Sequence, residues 1–119
     1  MKQNVIKEKS FNFALEIIKL YKSLVEQKEF IISRQLLKSA TSIGANVSEA
    51  GAGQSDRDFI SKMCIASKEA RETLYWLELL DQSEISKSDV SQLKDDSLEL
   101  IKILTSIVKT SQNNLKTKN

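Results

Sequence analysis

Few side chains in this sequence are of types that could do chemistry. Histidine is absent from the 119 residues, which excludes a Ser-His-Asp triad, a Glu-x-x-His di-iron site and a histidine-bearing zinc site. The single cysteine, Cys64, has no imidazole to activate its thiol, so we expect a small core or flank residue rather than a nucleophile. Glu69 and Glu72 share a helix face, but Lys68 and Arg71 are interleaved with them. A solvated charged strip is therefore favoured, and we predict no catalytic residue, metal site, cofactor or small-molecule substrate.

The basic residues are unevenly distributed, although the net charge is only +2. Residues 1–28 carry six lysines against three glutamates, and no acidic residue follows Glu99. An antiparallel bundle would bring these two stretches to one end. That end is interpreted either as a contact surface for phosphates or as a solvated lysine face. The candidate nucleic-acid contacts are Lys2, Lys7, Lys9, Arg57, Lys109, Lys116 and Lys118.

A polar line formed by Ser42, Asn46 and Glu49 runs beside the apolar positions of the predicted second helix. It is interpreted either as a structural seam, hydrogen-bonded across a helix interface to residues such as Lys68 or Arg71, or as a contact surface for a partner. Glu49 lies near a helix carboxyl end, where a negative charge is unfavourable. We therefore expect a Lys or Arg within salt-bridge distance of Glu49.

The predicted third helix is apolar on three sides, which is more than one intrachain core requires. Tyr75, Trp76 and Leu79 are therefore candidates for an interface with another subunit. The alternative is that they are core residues or single, partly exposed residues.

Helical periodicity predicts the elements that position these residues. Phe13, Ile17, Leu20 and Leu24 repeat at helical spacing in the first element. Ser33 is a plausible N-cap of the second helix, and Ser55 begins a capping box for the third. The predicted helices span roughly residues 4–27, 33–50, 56–82 and 88–111, and residues 112–119 are expected to be a frayed tail.

The composition favours a single all-α domain over residues 1–119. There is no proline, and all three glycines, Gly44, Gly51 and Gly53, lie in the stretch SATSIGANVSEAGAG. We expect Gly51 and Gly53 to end the second helix, one of them in the left-handed conformation. Short loops predict an antiparallel, up-down-up-down four-helix bundle. A lone cysteine and the lack of a long apolar run predict a cytoplasmic protein with no membrane contact.

Two stretches of the sequence carry a family resemblance. SRQLLKSATSIGANVSEA (33–50) and DFISKMCIASKEARETLYWLELL (58–80) resemble the four-helix-bundle family of proteins encoded in intervening sequences of bacterial 23S ribosomal RNA genes. The resemblance is close over helices 2 and 3 and extends as a pattern over most of the chain. This family is similar in structure to the accessory variability determinant proteins of diversity-generating retroelements, which resemble pentameric barrels and bind RNA and a reverse transcriptase.

The resemblance implies a bundle that assembles into a ring, most simply a homopentamer, and it implies no known catalytic activity. Two functions follow as alternatives. One is a non-enzymatic homo-oligomer that binds RNA or a ribonucleoprotein through its basic end. The other is a purely structural or protein-interaction module that binds no nucleic acid.

Overall fold

The computed structural model describes residues 2–52 and 55–118, which form four α-helices and no strand within those ranges. They are α1 (Lys2–Glu26), α2 (Ile32–Gly51), α3 (Asp56–Ser83) and α4 (Ser91–Lys118). Consecutive helices pack against each other and α4 packs against α1, in a bundle 53 Å long and 22 Å wide. The predicted all-α four-helix bundle is confirmed.

Contacts between neighbouring helices establish their antiparallel register. Between α3 and α4, Lys94 pairs with Asp81, while further along α4 Thr105 meets Arg71. Between α2 and α3, Ser39 meets Thr73 and Glu49 pairs with Lys62. In both cases residue numbers rise along one helix as they fall along its neighbour.

The predicted apolar lines form the core. Helical spacing places one face of each helix toward the bundle axis, and that face excludes solvent. The largest side chains that are completely buried are Ile6, Ile17, Leu24, Leu36, Ile43, Met63, Leu77, Leu80, Leu100 and Leu104. Gly44 lies at a close approach of α1 and α2, where an added Cβ would lie 3.6 Å from the Ser10 carbonyl oxygen. That is ordinary van der Waals contact, so this glycine is compatible with close packing but is not required by it.

The turn between α1 and α2 differs from the prediction. Ser33 lies inside α2 and is not its N-cap; the helix begins at Ile32. The exposed N–H groups of the first turn are instead bound by the side chain of Glu29, which is 8% exposed. Its Oε1 accepts from Ile31 N at 3.2 Å and Ile32 N at 2.9 Å, and its Oε2 accepts from Ser33 N at 2.6 Å. The sequence does not predict this role for a glutamate before the helix, because the residues preferred at helix N-caps have shorter side chains.

Helix α2 ends at Gly51, as predicted, but Gly51 does not have the left-handed conformation. Gly51 is part of the helix, and no glycine in the described residues has a positive φ; Gly53 lies outside them. Among the described residues the left-handed conformation occurs at Lys28 (φ 64°), two residues after α1, and at Glu84 (φ 56°), directly after α3. These two side chains adopt a backbone region that normally favours glycine.

The starts of α3 and α4 are capped by side chains. Ser55 Oγ accepts from Asp58 N at 3.1 Å, which confirms the predicted cap of α3. Asp89 Oδ1 accepts from Ser91 N at 3.0 Å at the start of α4. Helix α4 then continues to Lys118, so residues 112–118 are helical rather than an irregular tail. None of the described helices is long and apolar enough to span a membrane.

Candidate functional site

The predicted basic end is partly neutralised. The side chains of Lys7, Arg57, Lys109 and Lys116 are exposed, and none of them takes part in the ion pairs of the described residues. Lys9 is different, because its Nζ lies 3.2 Å from Glu99 Oε1. The side chains of Lys2 and Lys118 lie outside the described part of the structure.

Helix register brings part of this basic set together. Because α3 and α4 run antiparallel from the Lys94–Asp81 pair, the last turns of α4 lie beside the first turns of α3. Lys116 is therefore level with the start of α3, where Arg57 lies. Lys109 lies nearer the middle of the bundle and shares a cleft with Arg71. The sequence places Arg71 in a solvated strip or as a partner of the polar line on α2, whereas the helix register brings it near Lys109.

The polar line on α2 is satisfied mainly within its own helix. Asn46 Nδ2 donates to the Ser42 carbonyl oxygen at 2.8 Å and lies 3.1 Å from Ser42 Oγ. Glu49 Oε2 lies 3.0 Å from Lys62 Nζ. The predicted cationic partner of Glu49 is thus confirmed, although it is neither of the two basic residues first considered.

Tyr75 and Trp76 of α3 lie further along the bundle than this polar line, on the other side of the Ser39–Thr73 contact. Trp76 Nε1 donates to Glu72 Oε2 at 3.2 Å, and the half-buried indole packs against the core. Tyr75 is 57% exposed and meets Trp76 edge to face, with ring centroids 5.2 Å apart. Leu79 is half-buried one turn further along. Together with Ser42, Asn46 and Glu49 these residues make up what we name the α2–α3 face.

The carboxyl group of Glu69, on the side of α3 that faces α2, has a raised pKa. Burial and then the negative charge of Glu72 raise its pKa, while Lys68 and Lys38 act in the opposite direction. Burial and the neighbouring charge of Glu72 both disfavour the ionised form of the Glu69 carboxyl group. Within the described residues, no group of three histidine, cysteine, aspartate or glutamate side chains could hold a metal ion.

A buried polar pair between α2 and α3 escaped prediction. The Ser39 and Thr73 hydroxyl oxygens lie 3.0 Å apart, and both residues are 0% exposed. Each hydroxyl also has a carbonyl oxygen of its own helix within reach, Leu36 O for Ser39 and Glu69 O for Thr73. The pair fixes the register of the two helices that carry the α2–α3 face.

Comparisons with known proteins agree with this architecture. Residues 2–106 match the family described as 23S rRNA-intervening sequence protein. A crystal structure of a protein with unknown function from the S23 ribosomal protein family of Bacteroides thetaiotaomicron VPI-5482 is 55% identical. The similarity covers 92% of this chain and 99% of that one, with a TM-score of 0.87. A search of curated proteins found no match. The chain therefore belongs to the family of 23S rRNA-intervening sequence proteins.

Proposed function

We propose that this chain is a non-enzymatic, homo-oligomeric helical bundle of the cytoplasm that binds RNA or a ribonucleoprotein through its basic end. One observation carries the proposal. The lysines Lys102, Lys109 and Lys116, which follow the last acidic residue of α4, are all exposed. None of them takes part in the ion pairs described for the chain. Free cations on a rigid helix are what phosphate contacts require.

The titratable groups with shifted pKa values support a non-catalytic role. Such groups often mark active sites, but here Glu29, Asp89 and Lys94 each have a structural task, and burial and then the charge of Glu72 raise the pKa of Glu69. Hydrogen bonds from the Ser91 hydroxyl and backbone lower the pKa of Asp89, which holds the start of α4. The hydrogen bond with Asp81 raises the pKa of Lys94, which joins α3 to α4. Glu29 binds the first turn of α2.

Self-association is supported by the α2–α3 face. Its aromatic pair, Tyr75 and Trp76, has the composition of interface hot spots, and Tyr75 is largely exposed in the single chain. The family resemblance gives five as the expected number of subunits. A cyclic assembly would repeat the small basic excess of one chain around a rim, which strengthens attraction for a polyanion.

The assembly is tested by replacing Tyr75 with serine and measuring mass by light scattering at micromolar concentration. The wild type is expected at a multiple of 13.4 kDa, with five as the expected multiple. Tyr75→Ser is expected to shift the mass toward that of one chain, because it removes an exposed aromatic ring. Ile85→Ser is the matched control, because Ile85 is 55% exposed but lies in the loop after α3. A monomeric wild type, or equal masses for the two variants, would contradict this interface.

RNA binding is tested with a labelled RNA stem-loop titrated across a salt series. Each phosphate contact is expected to steepen the dependence of log affinity on log salt by about 0.7 to 0.9. Undetectable binding at low salt, or a flat salt dependence, would reject this function.

A protein-interaction module without nucleic acid is the second candidate. It is favoured by exposed apolar side chains on α1, where Phe11 is 64% and Leu15 is 45% exposed. Under this alternative the chain assembles normally and does not bind the stem-loop.

A further inference from the structure

An open cleft between α3 and α4 is the strongest unassigned feature of the surface. Its volume is about 250 Å³. Its lining contains two cations and several hydrogen-bonding groups, and no carboxylate. The lining residues are Cys64, Ser67, Arg71, Thr105, Val108, Lys109 and Gln112. This composition suits an anion that needs both charge and hydrogen bonds.

Arg71 has most of its binding capacity free. Its guanidinium makes one long hydrogen bond, from Nη2 to Thr105 Oγ1 at 3.4 Å. It takes part in none of the ion pairs described for the chain. A guanidinium has five N–H donors in a planar fork that matches the oxygens of a phosphate. Its remaining donors are therefore available to a ligand in the cleft.

Cations continue beyond the cleft at intervals of seven residues. Seven residues make nearly two helical turns, so residues with this spacing share one face and stand about 10 Å apart. Lys102, Lys109 and Lys116 have this spacing on α4, and Arg57 and Arg71 lie two such intervals apart on α3. The antiparallel register places the two rows along the same groove. We name these five residues the α3–α4 basic track.

Acidic groups lie toward the ends of the track and not at its centre. Glu78 and Asp95, one interval beyond Arg71 and Lys102, lie near Lys94, and Asp56 and Asp58 adjoin Arg57 in the first turn of α3. Other carboxylates of the two helices face away from the groove. On α3, Glu69 interacts with Lys38 of α2, so it lies on the opposite side of the helix. Glu72 accepts the indole N–H of Trp76 on that same side. On α4, Glu99 pairs with Lys9 of α1. The centre of the groove, where Arg71 and Lys109 lie, is thus lined by cations without a carboxylate, which net charge does not reveal.

We propose that the α3–α4 basic track binds the phosphodiester backbone of RNA, with Arg71 and Lys109 at its centre. This inference rests on the proposed function and relocates its contact surface, because the track runs along the bundle axis instead of across its end. The cleft is lined by no aromatic ring on which a base could stack. Backbone contacts position a nucleic acid without reading its sequence, so binding at the track is sequence-independent.

The test compares two double variants with the same loss of charge. Arg71→Gln/Lys109→Gln removes the centre of the track. Lys22→Gln/Lys87→Gln removes two exposed lysines at the far end of the bundle, neither of which is in a described ion pair. Affinity for a labelled RNA stem-loop is measured across a salt series, with thermal unfolding as the check on folding. The track variant is expected to lose about 1.4 to 1.8 from the log–log salt slope and about 25- to 60-fold in affinity near 0.1 M salt.

The outcomes distinguish failure of the α3–α4 basic track from failure of the proposed function. A wild type that does not bind the stem-loop overturns both the proposed function and the track. A wild type that binds, with equal losses in the two double variants, overturns the track alone. A DNA stem-loop of the same sequence is expected to show the same loss for the track variant, because the contacts are to phosphates. A loss confined to RNA would overturn the assignment to the backbone.

Discussion

Glu29→Gln should uncouple the first turn of α2 from the segment that precedes it. The two carboxylate oxygens accept three backbone N–H groups, from Ile31, Ile32 and Ser33. Glutamine has nearly the same shape but only one acceptor oxygen. If that oxygen keeps the Ile31 and Ile32 donors, the amide NH2 faces the Ser33 N–H, which then has no partner.

The expected cost follows from burial. A buried donor left without a partner costs roughly 1 to 3 kcal/mol, and the lost negative charge at a helix N-terminus adds about 0.3 to 1 kcal/mol. We therefore expect Glu29→Gln to lower the free energy of unfolding by about 2 kcal/mol. For a chain of this length that corresponds to a fall of about 8 °C in Tm. Glu26→Gln, at an exposed position at the end of α1, is the control and should change Tm little.

The pH dependence gives this prediction a second readout. Burial acts to raise the pKa of Glu29, but hydrogen bonds from Ile32, Ser33 and Ile31 outweigh it and lower the pKa below 4.5. The folded state thus binds the proton less readily than the unfolded state. The contribution of Glu29 to stability is complete above pH 4.5 and is lost as pH falls through the lowered pKa.

Thermal unfolding of both variants over a pH series, at equal protein concentration, is the assay. The difference in Tm between wild type and Glu29→Gln should narrow below pH 4.5. A difference that stays constant in acid, or a Glu29→Gln variant as stable as Glu26→Gln, would refute this explanation of the helix start.

Two further substitutions test the packing that holds the bundle. Thr73→Val should lower the free energy of unfolding, measured by denaturant titration, by about 1 kcal/mol, because the buried Ser39 hydroxyl loses a partner. Thr110→Val, at an exposed position of α4, is the control and should leave that free energy unchanged. Equal effects of the two substitutions would contradict the role of the buried pair. Lys28→Gly should raise the free energy of unfolding by about 0.5 to 1 kcal/mol, since glycine adopts the left-handed conformation at this position without strain. Lys22→Gly, inside α1, should lower the free energy of unfolding by about 1 kcal/mol. If both substitutions destabilise the protein, Lys28 is not strained.

The fold could be predicted from the sequence because the apolar spacing is regular. The line from Phe13 to Leu24 and the line from Met63 to Leu80 both became buried faces. Helix ends were less predictable, since they depend on individual side chains that reach back to the backbone. Glu29 binds three N–H groups from outside the helix, and Lys28 takes the conformation expected of glycine. Neither feature has a local sequence pattern strong enough to identify it.

The candidate site could be predicted only in part, because charge positions depend on register between helices. The sequence indicated a cation beside Glu49 but not that Lys62 supplies it. It grouped Lys9 with the free lysines, whereas Glu99 of α4 neutralises it. It separated Arg71 from Lys109, although the antiparallel packing of α3 and α4 makes them neighbours in one cleft. Only the packed bundle determines which charges remain unpaired.

The most direct measurement of the central claim is the affinity of the wild-type protein for an RNA stem-loop between about 50 and 200 mM salt. Asn46 and Glu49 of the polar line have partners within the bundle, so we assign the binding to the free cations of α4 and their neighbours on α3. We predict measurable binding at the low end of this range and a steep linear fall of log affinity with log salt. No binding at the lowest salt concentration, or an affinity that does not change across the range, would contradict the account.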